Sequence, residues 1–304
     1  MKKKIFPLMA AAAMMLLTAC YHDKHEFTPN EFDGEPVGYV APQLLWEDEA
    51  DAAAIGSINA LSFQVQGANG VSRARSFSSI EESADWLQQL PAGEYDILVT
   101  ADMDEPSGYV LTATGSPAGN LLTPTTVSLK DAASSPRQSW YAVTHVTIRE
   151  EEITVAEFRL QRLLPTLELS FTGVPEGYSI TAKVDYTAQN ALLTSKDVSG
   201  RYGIPSAGEQ TIDFGKLMVE GTTHSMQKRF MPTASSAERT IIHLYIVTPQ
   251  GVDQDCTIDA PKMLLGQYYR LALTYDDIHP YIYIHSTDVN EWTTGTTLDG
   301  GQAQ

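Results

Sequence analysis

The chain has 304 residues, 43% of them apolar and 19% charged, and carries a formal net charge of −18. That balance describes a folded chain rather than a disordered one, long enough for two domains of about 100 to 200 residues each. The acidic excess excludes nucleic acid as a partner and electrostatic adhesion to anionic lipid, since both call for a basic surface.

Lys2, Lys3 and Lys4 precede an apolar stretch from Ile5 to Leu17, and Leu17-Thr18-Ala19-Cys20 ends it with small residues, the layout of a secretory signal. The stretch is far shorter than the roughly 20 apolar residues of a membrane-spanning helix. A cysteine directly after a Leu-x-Ala step looks like a bacterial lipobox, in which the thiol is acylated and becomes the first mature residue. Residues 1–19 are therefore expected to be signal peptide, cut between Ala19 and Cys20. Several acyl chains, at roughly 0.8 kcal/mol per buried methylene, then hold Cys20 at the outer membrane, with the protein on the cell surface. The competing reading is an ordinary signal peptide with Cys20 near the cut by chance. Loss of Lys2, Lys3 and Lys4 takes the net charge from −18 to −21. With Cys20 acylated, Cys256 has no disulfide partner, and stability must come from core burial.

Residues 20–37 mix Asp, Glu, His, Pro and Gly without a period and read as a flexible tether. His22 and His25 stand beside acids but match no structural metal spacing. Beyond the tether, segments with one apolar face follow each other, starting with Leu61–Val65. Ser78 to Leu90 is expected to form one helix, opened by Ser78 or Ser79 with Glu81 and Glu82 in its first turn. Tyr95–Val99 and Val143–Ile148 are strands, and Glu150-Glu151-Glu152 is an acidic turn to the next one. Arg162-Leu163-Leu164-Pro165 changes direction, after which Leu167–Phe171, Tyr178–Val184, Ile241–Val247 and Tyr268–Tyr275 continue the series. Gln189–Leu193 is expected to add a helical turn. Gly173-Val174-Pro175-Glu176-Gly177 and Pro249-Gln250-Gly251 supply turns at sandwich spacing. The fold class is mainly β, with domains expected at 38–163 and 164–295 and a polar tail at 296–304.

The lipobox, the Leu90-Pro91-Ala92-Gly93-Glu94-Tyr95-Asp96-Ile97-Leu98-Val99 segment and the closing Val289-Asn290-Glu291-Trp292-Thr293-Thr294-Gly295 resemble those of fimbrillin-like lipoproteins of Bacteroides-type bacteria. That group includes the anchor and accessory subunits of type V fimbriae. Each segment also has a plain structural reading. Pro91 fixes φ at the entry of a turn, Gly93 can take positive φ, and Tyr95 starts a strand whose Ile97 and Val99 pack inward. Trp292 is most simply the anchor of a last strand.

The resemblance implies two tandem transthyretin-like, Greek-key β-sandwich domains. It also implies assembly with other fimbrial subunits by strand exchange, in which a donated strand completes an open sheet. Polymerising members open their groove when a protease removes the first strand after an Arg or Lys, whereas anchor subunits keep it. Arg73-Ala74-Arg75 is expected to lie in a loop and is the candidate processing site. The tail after Thr296 is polar and Gly-rich, a poor donor strand. The implied role is a lipid-anchored fimbrial anchor, accessory or tip subunit acting in assembly or adhesion, without catalysis. The alternative is a surface lipoprotein that binds glycans for an outer-membrane uptake system.

No catalytic constellation or cofactor site stands out. The seven histidines show no His-Glu-x-x-His spacing, and no Gly-x-Ser-x-Gly elbow is present. His145 and His243 sit in alternating strands and read as satisfied structural histidines. Cys256 has acids beside it, which disfavours a thiolate. Asp102-Met103-Asp104-Glu105 offers oxygen ligands for calcium but lacks the pattern of an EF-hand loop, and Glu47-Asp48-Glu49 with Asp51 is similar. Pro280–His285 alternates, placing Tyr281, Tyr283 and His285 on one face and Ile282 and Ile284 on the other. The Tyr281, Tyr283 and His285 face is the candidate exposed surface for a host or glycan ligand.

Overall fold

The computed structural model describes residues 31–51, 58–116, 121–221 and 223–278, together with the backbone of Thr297–Leu298. The first half of the chain forms strands β1 (Val37–Trp46), β2 (Leu61–Gly67), β3 (Ser72–Phe77), β4 (Gln88–Pro91), β5 (Gly93–Ala101), β6 (Tyr109–Ala113), β7 (Thr125–Leu129), β8 (Trp140–Ile148) and β9 (Ile153–Arg162). The second half adds β10 (Thr166–Thr172), β11 (Ser179–Ala188), β12 (Asn190–Lys196), β13 (Tyr202–Pro205), β14 (Glu209–Met218) and β15 (Thr223–Arg229). It continues with β16 (Thr240–Val247), β17 (Asp253–Ala260), β18 (Tyr268–Thr274) and β19 (Thr297–Leu298). Two single-turn helices complete the described elements, α1 (Ile80–Ser83) and α2 (Tyr275–Ile278). The fold is mainly β, as the alternating segments imply.

The strands build a seven-stranded sheet in the order β3-β2-β5-β8-β9-β1-β4 and three four-stranded sheets, β15-β10-β18-β19, β14-β11-β16-β17 and β13-β12-β7-β6. Three cores result. The first is confined to the first half and is rich in aromatics: Phe63 packs against Phe77, Trp86 and Phe158 with ring centroids 4.8 to 5.9 Å apart. The second, from Leu167 to Ile278, is mostly aliphatic. Burying one large apolar side chain stabilises by about 1.5 to 3 kcal/mol, which is how a chain without disulfides holds together.

The third core joins the halves. Leu98, Tyr109, Val127 and Tyr141 from the first meet Ala191, Leu193, Met231 and Leu265 from the second. Above it β7 pairs antiparallel with β12, Val127 opposite Ala191. The Tyr141 hydroxyl donates to Tyr202 O at 2.5 Å, and a Cβ on Gly203 would stand 2.1 Å from that hydroxyl, so only glycine lets the ring reach this backbone. Arg229 Nε donates to Pro136 O at 2.9 Å, and the buried Lys228 ammonium donates to Ala133 O and Asp213 O. Burial lowers the Lys228 pKa from its ordinary value.

Two expected helices are corrected. Ser78–Leu90 holds one helical turn, α1, where Ser79 Oγ accepts from Glu82 N and the Glu82 carboxylate accepts from Ser78 N. Its end, Gln88–Pro91, is instead drawn into β4 by pairing with β1. Gln189–Leu193 adds no helical turn, because the free edge of β7 recruits it as β12; sheet pairing overrides weak local propensity. The segment from Leu90 to Val99 carries the chain from β4 to β5. Gly93 takes a positive φ of +158°, and Ile97 and Val99 are buried, both as expected. The Tyr95 hydroxyl donates to Pro91 O at 2.9 Å and accepts from Asn69 Nδ2 at 3.0 Å, which ties the corner together.

Candidate functional site

The candidate site is the seat of the first strand, because the implied exchange chemistry turns on whether that strand stays. β1 lies between β9 and β4. It runs parallel to β9 over eight residue pairs, Tyr39 opposite Ile153 to Trp46 opposite Leu160, and antiparallel to β4 over four. Gly38, Tyr39, Val40 and Ala41 are buried, while Gln43 is exposed. Pro42 falls beyond the end of β4, where one side of β1 has no ladder partner among the described residues and the missing N–H is tolerated. At the entry, Glu151 N donates to Val37 O at 2.8 Å and Tyr39 N to Glu152 O at 2.9 Å. A Cβ on Gly38 would lie 2.0 Å from Arg149 O, so the turn between β8 and β9 closes directly over the backbone of β1.

A polar pin closes the other end. Arg162, the last residue of β9, grips Asp51 with Nε 2.9 Å from both carboxylate oxygens and Nη2 2.5 Å from Oδ1. Trp140 Nε1 donates to the same carboxylate at 2.9 Å, and Asp51 is almost wholly buried. Local sequence shows Asp51 only as one acid in a run; its partner stands 111 positions away, and only the return of β9 beside β1 brings them together.

Arg73 and Arg75 do not lie in a loop: both are on β3, an edge strand of the seven-stranded sheet. Arg73 stands opposite Val65 and Arg75 opposite Phe63, two core residues, so the arginines take the core-facing side of the exposed edge. Their guanidinium groups lie over Phe32 and Phe77 at 5.1 and 5.6 Å. Charges turned inward on an edge strand block further strand pairing there. The loop expectation failed because Ser and Arg carry no apolar alternation, whereas β2 supplies the ladder.

The other candidates separate. Cys20, with Ala19, and the Tyr281, Tyr283 and His285 face lie outside the described residues. In the acidic loop, Asp102 Oδ1 accepts from Asn59 N and Ala60 N, Asp104 Oδ1 from Ser107 N, and Glu105 pairs with Lys130 at 2.7 Å. Among the described residues, no group of three or more His, Cys, Asp and Glu is placed to hold a metal ion. His145 is held on both sides, Nδ1 2.7 Å from Asp96 Oδ1 and Nε2 2.7 Å from Glu94 Oε2, and the Asp96 bond chiefly raises its pKa. His243 Nε2 lies 2.8 Å from Asp185 Oδ2. Cys256 is buried, and burial pushes its thiol up to about 11.

The family model of the fimbrillin-A associated anchor proteins Mfa1 and Mfa2 matches residues 56–296. The chain belongs to this family. Solved structures give the same fold. One is a proposed adhesin from Bacteroides thetaiotaomicron, 9% identical, with 81% of this chain and 94% of that one covered at a TM-score of 0.50. A proposed polysaccharide-binding protein from the same species is 12% identical, with 78% and 92% covered, also at 0.50. The fimbrial anchor protein Mfa2 from Porphyromonas gingivalis is 14% identical, with 77% and 90% covered and a TM-score of 0.47. At such identities the first two likenesses speak for fold alone, and the third is too loose to carry an argument. No curated protein matches the sequence. Family membership gives the chain a fimbrial, structural role at the cell surface.

Proposed function

We propose that this chain is a lipid-anchored fimbrial anchor or accessory subunit of the outer membrane, held by acylated Cys20 and joined to other subunits by strand exchange. In this reading, residues 38–163 and 164–295 are two sandwich units that share the third core. Family membership supports the fimbrial role, and one observation favours an anchor over a polymerising subunit: the first strand has no place to be trimmed. No Lys or Arg stands between Lys24 and Arg73, so a protease specific for basic residues finds nothing between the end of β1 and the start of β2. Cutting at Arg73 or Arg75 requires unpairing an edge strand and removes β2 as well as β1.

The test is isolation from the native membrane, with mass spectrometry of the N-terminus and gel mobility without boiling. An acylated Cys20, an uncut chain through Arg75 and a high-mass complex with fibre subunits are the expected results. A lipidated monomer without fibre partners overturns the reading and moves glycan capture to first place.

A further inference from the structure

In each half of the chain the opening strand lies parallel to the last long strand, with the two-residue β19 added beside β18 in the second half. β1 and β9 share eight rungs, and β10 and β18 share seven, from Thr166 opposite Tyr268 to Thr172 opposite Thr274. Chain continuity then sets the direction of any pull. The tether enters β1 at its N-terminal end, whereas β9 leaves at its C-terminal end, through Leu163, into β10. A load between the tether and the second half drags two parallel strands from opposite ends along their shared axis, and all eight rungs must yield together. Pulled from the same end, those rungs would open one at a time.

We propose that the fold is a force-bearing link, with β1 and β9 as the clamp nearest the lipid and β10 and β18 as a second clamp in series. This deepens the anchor reading and rests on it for the direction of load. The contacts around β1 fit the task. Sliding β1 toward the membrane moves Asp51 back along β9 and away from Arg162, so the 2.5 and 2.9 Å contacts oppose the motion. At the first rungs to feel the pull, Glu151 N holds Val37 O and Tyr39 N holds Glu152 O, around a Gly38 with no spare room. β4 adds four antiparallel rungs on the other side. In the second clamp, the opposed pair Glu168 and Arg270 lies 3.5 Å apart across the strands, and the Tyr268 hydroxyl donates to Glu168.

Single-molecule pulling on the mature chain from Cys20 to Gln304 tests this, expressed without acylation so that the Cys20 thiol is one handle. The second handle is a cysteine appended after Gln304 or, in a separate molecule, Glu150→Cys in the exposed turn before β9. The buried Cys256, with its raised thiol pKa, stays unmodified. At one loading rate, end-to-end pulling should unfold β1 at about twofold or more the force of the Cys20 to Glu150→Cys geometry, because the rungs share the load. Equal forces, or a lower end-to-end force, overturn the clamp. The comparison needs no variant that might fail to fold, and Arg162→Met should bring the two forces closer. An acylated, fibre-bound native protein with equal forces sinks the clamp alone. A native protein without lipid on Cys20 sinks the anchor reading and leaves the force ratio standing.

Discussion

β1 and β10 hold equivalent places, each opening its half and lying parallel to the last long strand of that half, yet they are secured differently. β10 is paired along its whole length on both sides, over seven rungs to β15 and seven to β18, with Leu167, Leu169 and Phe171 fully buried. Among the described residues β1 has a long partner only in β9; from Ala41 onward its other side has no ladder partner there, and Leu44, Leu45 and Trp46 are partly buried. A strand flanked on both sides needs no further fastening. One flanked on a single side depends on specific contacts, here the Gly38 seat and the Arg162 pin.

The sharpest way to break the contrast is to hollow out each core and ask whether the halves respond separately. Phe158→Ala and Phe171→Ala each remove a fully buried ring and should cost about 3 to 5 kcal/mol. Because the third core couples the halves, either substitution should lower one common urea transition. Three of the four tryptophans, Trp46, Trp86 and Trp140, lie in the first half, so in a Trp292→Phe background fluorescence follows that half, while far-ultraviolet circular dichroism reports from both. Two resolved transitions in either variant would show that the third core does not couple the halves.

Arg162→Met leaves the buried Asp51 carboxylate without its cation, a change of about 3 kcal/mol at the lower end of what breaking a buried pair costs. The corresponding change in the second half, Arg270→Met, faces Glu168 at 3.5 Å with more solvent around the pair and should cost about 1 kcal/mol or less. Urea midpoints of the two variants give the ranking directly; a larger loss at Arg270 would mean that β10 is the more weakly fastened strand. An effect between these two is expected at the joint. Tyr141→Phe strips the part-buried Tyr202 carbonyl of its donor and should cost about 1 to 2 kcal/mol, read as a separation of the fluorescence and circular dichroism transitions.

This asymmetry also explains what local sequence could reveal. Leu61–Val65, Val143–Ile148, Leu167–Phe171 and Tyr178–Val184 alternate because one face meets a core, and they appear as β2, β8, β10 and β11. β1 reads Val-Gly-Tyr-Val-Ala-Pro-Gln-Leu-Leu-Trp, with four buried residues in a row and a proline, and shows no period. β3 is polar because it is an edge. β4 and β12 contradict the helices expected there because each is shaped by a partner far along the chain. The candidate site was legible only in part for the same reason. Lipobox and corner segments are local, whereas Asp51 with Arg162 and Tyr141 with Gly203 exist only once the strands return beside each other.

The two histidine sites extend the comparison to pH. His145 sits between Asp96 and Glu94 on β5, and His243 contacts Asp185 and Thr257. The Asp96 bond raises the folded-state pKa of His145, partly opposed by burial and helped by Glu94. A histidine whose folded pKa lies above its unfolded value of about 6.5 contributes fully below that value, and the contribution fades as pH rises through the folded pKa. Stability should therefore decline slightly from about pH 6.5 upward. The ring is 56% exposed, so solvent screening limits the effect to about 0.5 kcal/mol or less. Urea midpoints at pH 6, 7 and 8 should fall in the parent chain and lie flatter in His145→Gln. A parent profile that rises over this range would mean that a group titrating near neutrality and releasing its proton more readily when folded, and not this bridged ring, governs its pH response.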